Sequence, residues 1–232
     1  MQDQYQFGNV AQAGQQSALQ QNRVLRNTYM LLALSMVPTV LGALLGIQLQ
    51  FAFMAGSPLM SFILFMAIAF GFFWGIEKTK DSAMGVVLLL GFTFFMGLML
   101  SRILQVALGF SNGGTLIAMA AGGTGAIFFT LATVATVTKR DFSGIGKFLF
   151  VGIVVLLLAM VANIFFQIPA LALTISVVAV LLFSAYILYD ISRIVNGGET
   201  NYISATLAVY LDVYNVFVSL LNLLMAFSGE RD

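Results

Sequence analysis

The sequence predicts an all-α membrane protein of seven transmembrane helices, and three observations lead there. Hydrophobic residues make up 60% of the chain and charged residues only 8%, against about 25% charged in soluble domains. Apolar stretches of about 20 residues, each long enough to bridge ~30 Å of hydrocarbon, recur along the chain. Eight of the ten basic residues fall at alternate ends of those stretches.

Taken in order, residues 1–27 are Gln-rich and poor in large apolar side chains, and are expected to form a flexible tail. They lack the basic and apolar regions of a secretory signal, so the first span is expected to direct its own insertion. The spans read as 28–47, 58–76, 83–104, 115–138, 148–167, 170–193 and 202–227, giving one transmembrane domain at 28–227 and a short tail at 228–232. Pro38 is expected to bend span one. Span four groups Gly122, Gly123 and Gly125, which suit close helix packing because lipid supplies no hydrophobic drive between helices. Spans five and six are divided only by Gln167-Ile168-Pro169, where the proline ends one helix and suits the first turn of the next. Asn163 and Gln167 read as helix-contact residues, and Tyr29 and Trp74 as interfacial anchors. Asn196-Gly197-Gly198 should end span six.

Arg23, Arg26, Lys78, Lys80, Lys139, Arg140, Lys147 and Arg193 share one side of a seven-span chain, leaving Arg102 and Arg231 on the other. The positive-inside rule then puts the N-terminus in the cytoplasm and the C-terminus outside. There is no Cys, which excludes disulfides and thiol chemistry, and no His, which excludes imidazole metal sites. A net charge of +1 offers no case for nucleic acid.

The chemistry concentrates in the last two spans. Asp190 and Asp212 stand in otherwise apolar helix, where a carboxylate costs roughly 2.5 to 3.5 kcal/mol near the bilayer centre. The short connection makes these spans antiparallel neighbours, so the two carboxyls fall at similar depth near the cytoplasmic side. Such a pair repels when both members ionise, which makes a proton-sensitive element without histidine. Arg193, one turn after Asp190, is a candidate counter-ion, and so is Arg102, which can otherwise snorkel to the outer interface. Asp212, Asn215, Ser219 and Asn222 follow one helical face over ~15 Å, either as bundle contacts or as the lining of a polar route. Carboxylate and amide oxygens suit a hard cation, so calcium is the ion expected at Asp190 and Asp212. No catalytic residue is assigned: an intramembrane aspartyl protease would need Gly-x-Gly-Asp, and Asp212 follows Tyr-Leu.

The segments YDISRIVNGGETNYISA and LAVYLDVYNVF, with VLRNTY at 24–29, GGTGAIFF and MVANIFFQIPA, resemble the Bax inhibitor-1 family, in particular its bacterial YccA-like branch. The resemblance spans almost everything after the Gln-rich tail. It implies a seven-helix inner-membrane protein whose last helix is wrapped by the other six. It also implies that Asp190 and Asp212 form a pH-responsive latch over a calcium leak. The branch implies a second role, restraint of the membrane protease FtsH, and the tail is the expected point of contact. Family members that conduct can pair the aspartates with a basic residue in span two. Here that span is uncharged before Glu77, so Arg193 is the substitute.

Overall fold

The computed structural model describes residues 2–50 and 58–229, with side chains described from Leu19 onward except at Pro58. Its helices are α1 (Gln2–Gln48), α2 (Pro58–Thr79), α3 (Ala83–Leu108), α4 (Gly113–Thr138), α5 (Gly146–Phe166), α6 (Pro169–Val195) and α7 (Tyr202–Gly229). A single 3-10 turn, Ser143–Ile145, leads into α5. Seven helices are long and apolar enough to cross a membrane. Helices suit this setting because each satisfies its own backbone where lipid offers no hydrogen bonds. Their outer faces carry Phe70, Phe129, Phe148, Phe150 and Leu181, all exposed, as lipid-facing positions should be.

Helix α7 packs against α1, α2, α3, α4 and α6, whereas α5 lies against α6. Hydrogen bonds define the two ends of the bundle. At one end, Asn201 accepts from the Ile203 and Ser204 amides to start α7, and its Nδ2 donates to the Lys80 carbonyl and Asp81. At the same end, Ser192 and Asn196 of α6 hold the Arg140 carbonyl of the α4–α5 connection. Lys78, Lys80, Lys139, Arg140, Lys147 and Arg193 belong to these connections or to the helix ends beside them, and Arg23 and Arg26 lie within α1 where Val24 packs on Ile194 and Ala205, so this is the basic end. At the opposite end Asn112 bonds Ser228, and Gln105 donates to the Gly46 carbonyl.

Two differences from expectation concern α1 and the glycines. The backbone is helical from Gln2 to Gln48, so over its described part the stretch read as a tail runs on without a break into span one. Gln, Ala and Leu propagate a helix readily once a long apolar span has nucleated it. The helix also continues through Pro38. Of the three glycines grouped in span four, a Cβ added at Gly122 or Gly125 would meet nothing, and one at Gly123 would make only an ordinary contact with Leu220 of α7 at 3.4 Å, so they do not draw two backbones together. The tight seam is between α1 and α3. There a Cβ on Gly97 would sit 2.1 Å from the Thr39 carbonyl oxygen, and one on Gly42 2.2 Å from that of Phe94. Gly42 and Gly46 are spaced as small residues that let two membrane helices touch backbone to backbone. Close approach also lets Thr39 accept from the Tyr210 hydroxyl at 2.9 Å while donating to the Ser35 carbonyl at 2.8 Å, tying α7 into the same seam.

Smaller corrections are local. Asn163 and Gln167 build the α5–α6 turn rather than a helix contact: Gln167 takes a left-handed φ of 50°, and Asn163 Oδ1 accepts the Ile168 amide at 3.0 Å. Pro169 opens α6 as expected. Gly197, with φ of 79°, ends the helix where the sequence places its stop, and the Gly198 amide reaches back to the Arg193 carbonyl at 2.8 Å. The Tyr29 ring packs edge-on against Phe128, with its hydroxyl buried, so it is not an interfacial anchor. Trp74 is exposed, with the Lys78 ammonium 4.3 Å from its ring centre.

Candidate functional site

The basic half of α6 brings Tyr186 and Asp190 to one face, and α7 presents Asp212 and Asn215 to it at helical spacing. Because the two helices are joined by a tight turn and pack along each other, Asp190 and Asp212 line one cavity side by side. Two carboxyls so placed can bond each other only when one carries a proton, since two ionised carboxylates offer only acceptors. Asp212 is 5% exposed and its Oδ2 has no partner among the described residues. The Asp190 side chain is 12% exposed. A buried oxygen without a partner is costly unless it is protonated or meets something mobile, such as water or a cation.

Arg193 stands on the rim of this couple, with Nη1 4.0 Å from Asp190 Oδ1 and Nη2 3.8 Å from Glu199 Oε2. Its guanidinium also lies 5.6 Å from the Tyr189 ring and donates to the Gly198 carbonyl at 3.3 Å. Thus the cation one turn from Asp190 is divided between two carboxylates and a turn, with Asp190 at the limit of ion-pair range. Glu199 was missed from the sequence; its six-residue spacing from Arg193 across a glycine turn was the available signal.

The couple opens into a cavity of about 590 Å³ bounded by α2, α3, α5, α6 and α7. Its floor is polar, with Tyr186, Asp190, Asp212 and Asn215, and its upper wall is apolar, with Phe62, Met66, Met99 and Leu157. Arg102 lines the same cavity while remaining exposed, and makes no ion pair among the described residues. The polar stripe of α7 divides here. Asn215 lines the cavity and turns its Nδ2 to the Leu211 carbonyl at 2.8 Å. Ser219 is buried and Asn222 half-buried farther along α7, and neither lines this space. A second cavity, about 800 Å³ and almost wholly apolar, separates α1 from α4 on the other side of α7.

Among the described residues no group of three or more Asp, Glu, His or Cys could hold a metal ion. Two carboxyls and an amide fall well short of the ~6 to 8 oxygens of a storage calcium site. They can attract a passing cation or hold a proton.

Comparison with known proteins fits this architecture. Residues 21–229 match the family described as "Inhibitor of apoptosis-promoting Bax1". The chain is 42% identical over 208 residues to the "Modulator of FtsH protease YccA" of Escherichia coli K12, covering 90% of this chain and 92% of that protein. It is 42% identical over 211 residues to an uncharacterized protein of Neisseria meningitidis serogroup A, covering 90% and 93% respectively. Against an uncharacterized protein of Pseudomonas aeruginosa it is 38% identical over 230 residues, 99% of this chain and all of the other. With its seven spanning helices and a family match over nearly its whole described length, the chain is a multi-pass membrane protein that belongs to the Bax inhibitor-1 family.

Proposed function

We propose that this protein is a proton-gated cation leak, calcium being the ion carried, with Asp190 and Asp212 as its latch. The observation behind this reading is the placement of both carboxyls at the floor of one cavity between apolar helices, with Asp212 Oδ2 left without a partner among the described residues. While the couple shares its proton, the carboxyls hold α6 and α7 together at the basic end. When that proton leaves, two negative charges at contact distance repel and the couple parts. Arg193, shared with Glu199, eases the separated state by offering Asp190 a nearby cation. The orientation proposed with this mechanism puts the basic end and the N-terminus in the cytoplasm of a bacterial inner membrane, as the split of Lys and Arg suggests.

Calcium flux into proteoliposomes tests the reading. Flux should be lowest in acid and rise as the pH climbs through the range where the couple loses its proton. Asp212→Asn removes the repulsion and should flatten that pH dependence, as should Asp190→Asn. Unchanged profiles in both variants would falsify the latch.

A second reading draws on the relative named as an FtsH modulator. In it, the N-terminal extension of α1 is a handle for a membrane protease and the bundle behind it resists extraction. Deletion of residues 4–20 should then alter turnover of this protein and its effect on the protease. A deletion variant equal to wild type in both measurements removes the handle.

A further inference from the structure

The cavity above the aspartate couple has a second feature that the latch does not use. Helices α2 and α5 bound it on either side without packing on each other, so the ring around α7 is open at this seam. The seam faces the membrane laterally, and Leu157 and Met160 on its α5 side are exposed. Phe62 and Met160 both belong to the half of the bundle opposite the basic end, and so does Arg102. From Phe62 to Phe73 the lining runs ~16 Å along α2, changing from apolar near the opposite end to polar at Asp190 and Asp212.

Arg102 fixes what such a groove would take. It stands ~9 Å before the end of α3 at Leu108, in a helix ~39 Å long crossing ~30 Å of hydrocarbon. From there its guanidinium reaches the headgroup level by snorkelling. It has no carboxylate partner among the described residues. A guanidinium at that level matches the geometry of a phosphate, and the apolar column beneath matches a hydrocarbon chain.

We propose that the α2/α5 seam is a phospholipid site in which Arg102 holds the lipid phosphate and one acyl chain fills the apolar part of the cavity. The chain ends where the lining turns polar, above the aspartate couple, and stands between that couple and the opposite leaflet. The site is independent of which ion, if any, the couple passes.

Native mass spectrometry of the purified full chain tests it, with phosphatidylglycerol, diacylglycerol, palmitate and inorganic phosphate added separately. One phosphatidylglycerol should stay bound per chain, and the other three should bind at least tenfold more weakly. Arg102→Gln should weaken retention at least tenfold, and so should Leu157→Trp, which fills the seam without touching the charge. Leu44→Trp, in the α1/α4 cleft, should leave it unchanged. Equal retention by Arg102→Gln, equal retention of diacylglycerol or palmitate, binding of free phosphate alone, or loss with Leu44→Trp would each overturn the assignment. Because lipid is counted by mass and no flux is read, failure here leaves the aspartate latch standing, and failure of the latch leaves the lipid site standing.

Discussion

The two sides of α7 are built on opposite plans. Towards α1 and α3 the helices touch backbone to backbone, with Gly97 against the Thr39 carbonyl and Thr39 bonded to Tyr210. Towards α2 and α5 the same helix faces an open cavity with an unpartnered carboxylate oxygen at its floor. The contrast follows from side-chain size. Glycine lets two helices close, whereas Phe62, Phe73, Met99 and Leu157 hold them apart. The α1/α3 seam beside α7 is thereby closed, with an apolar cleft between α1 and α4 next to it, while the polar floor of the other cavity leaves room for a charged group to change state.

Substitutions can break each half of that contrast separately. The largest effect should come from Gly97→Val, because a branched side chain 2.1 Å from a carbonyl oxygen forces α1 away from α3. Overpacking of this kind costs about 3 kcal/mol or more, read as a fall in detergent melting temperature, whereas Gly122→Ala should be silent. Asn201→Ala removes the cap of α7 together with its bonds to the α2–α3 connection, and should cost about 1 to 2 kcal/mol in the same measurement. Tyr210→Phe removes one hydrogen bond and should cost about 1 kcal/mol, with no change in the pH profile of flux.

The smallest effect belongs to an exposed connection. Asp141 Oδ1 accepts the Ser143 amide at 2.8 Å, and these hydrogen bonds hold its carboxyl below the ordinary aspartate range. A group depressed in the folded state contributes above its unfolded value, about 3.9, and loses that contribution as pH falls through its lower folded value. Asp141→Ala should therefore melt slightly earlier than wild type at pH 7 and together with it at pH 2. A difference that persists in acid would show that the side chain acts by packing.

Much of this was legible in the sequence, because hydropathy and turn residues are local signals. Pro169, Gly197 and the cations after spans two, four and six marked helix ends to within a few residues, whereas Arg23 and Arg26 lie inside α1. The placement of Asp190 beside Asp212 in one cavity was also legible, since a six-residue connection leaves antiparallel helices little choice of neighbour. What escaped were relations between distant segments. The glycines of α4 and of α1 look alike as small residues, and only the partner helix distinguishes the open ones from the packed ones. Likewise, Arg102 was visible as a charge near an interface, but nothing in its own span shows that α2 and α5 part beside it. The α7 stripe reads as one face, yet its outer half, Ser219 and Asn222, lies away from the cavity that Asp212 and Asn215 enter.

The continuity of α1 has a mechanical consequence. A helix of 47 residues whose membrane half is keyed to α3 through Gly42, Gly46 and Gly97 cannot be peeled from one end without carrying its seam along. Tension applied at Gln2 acts along the helix axis and loads that seam in shear, so its contacts must yield together. A motor pulling from the membrane surface would stall on such a joint sooner than on one that unzips turn by turn.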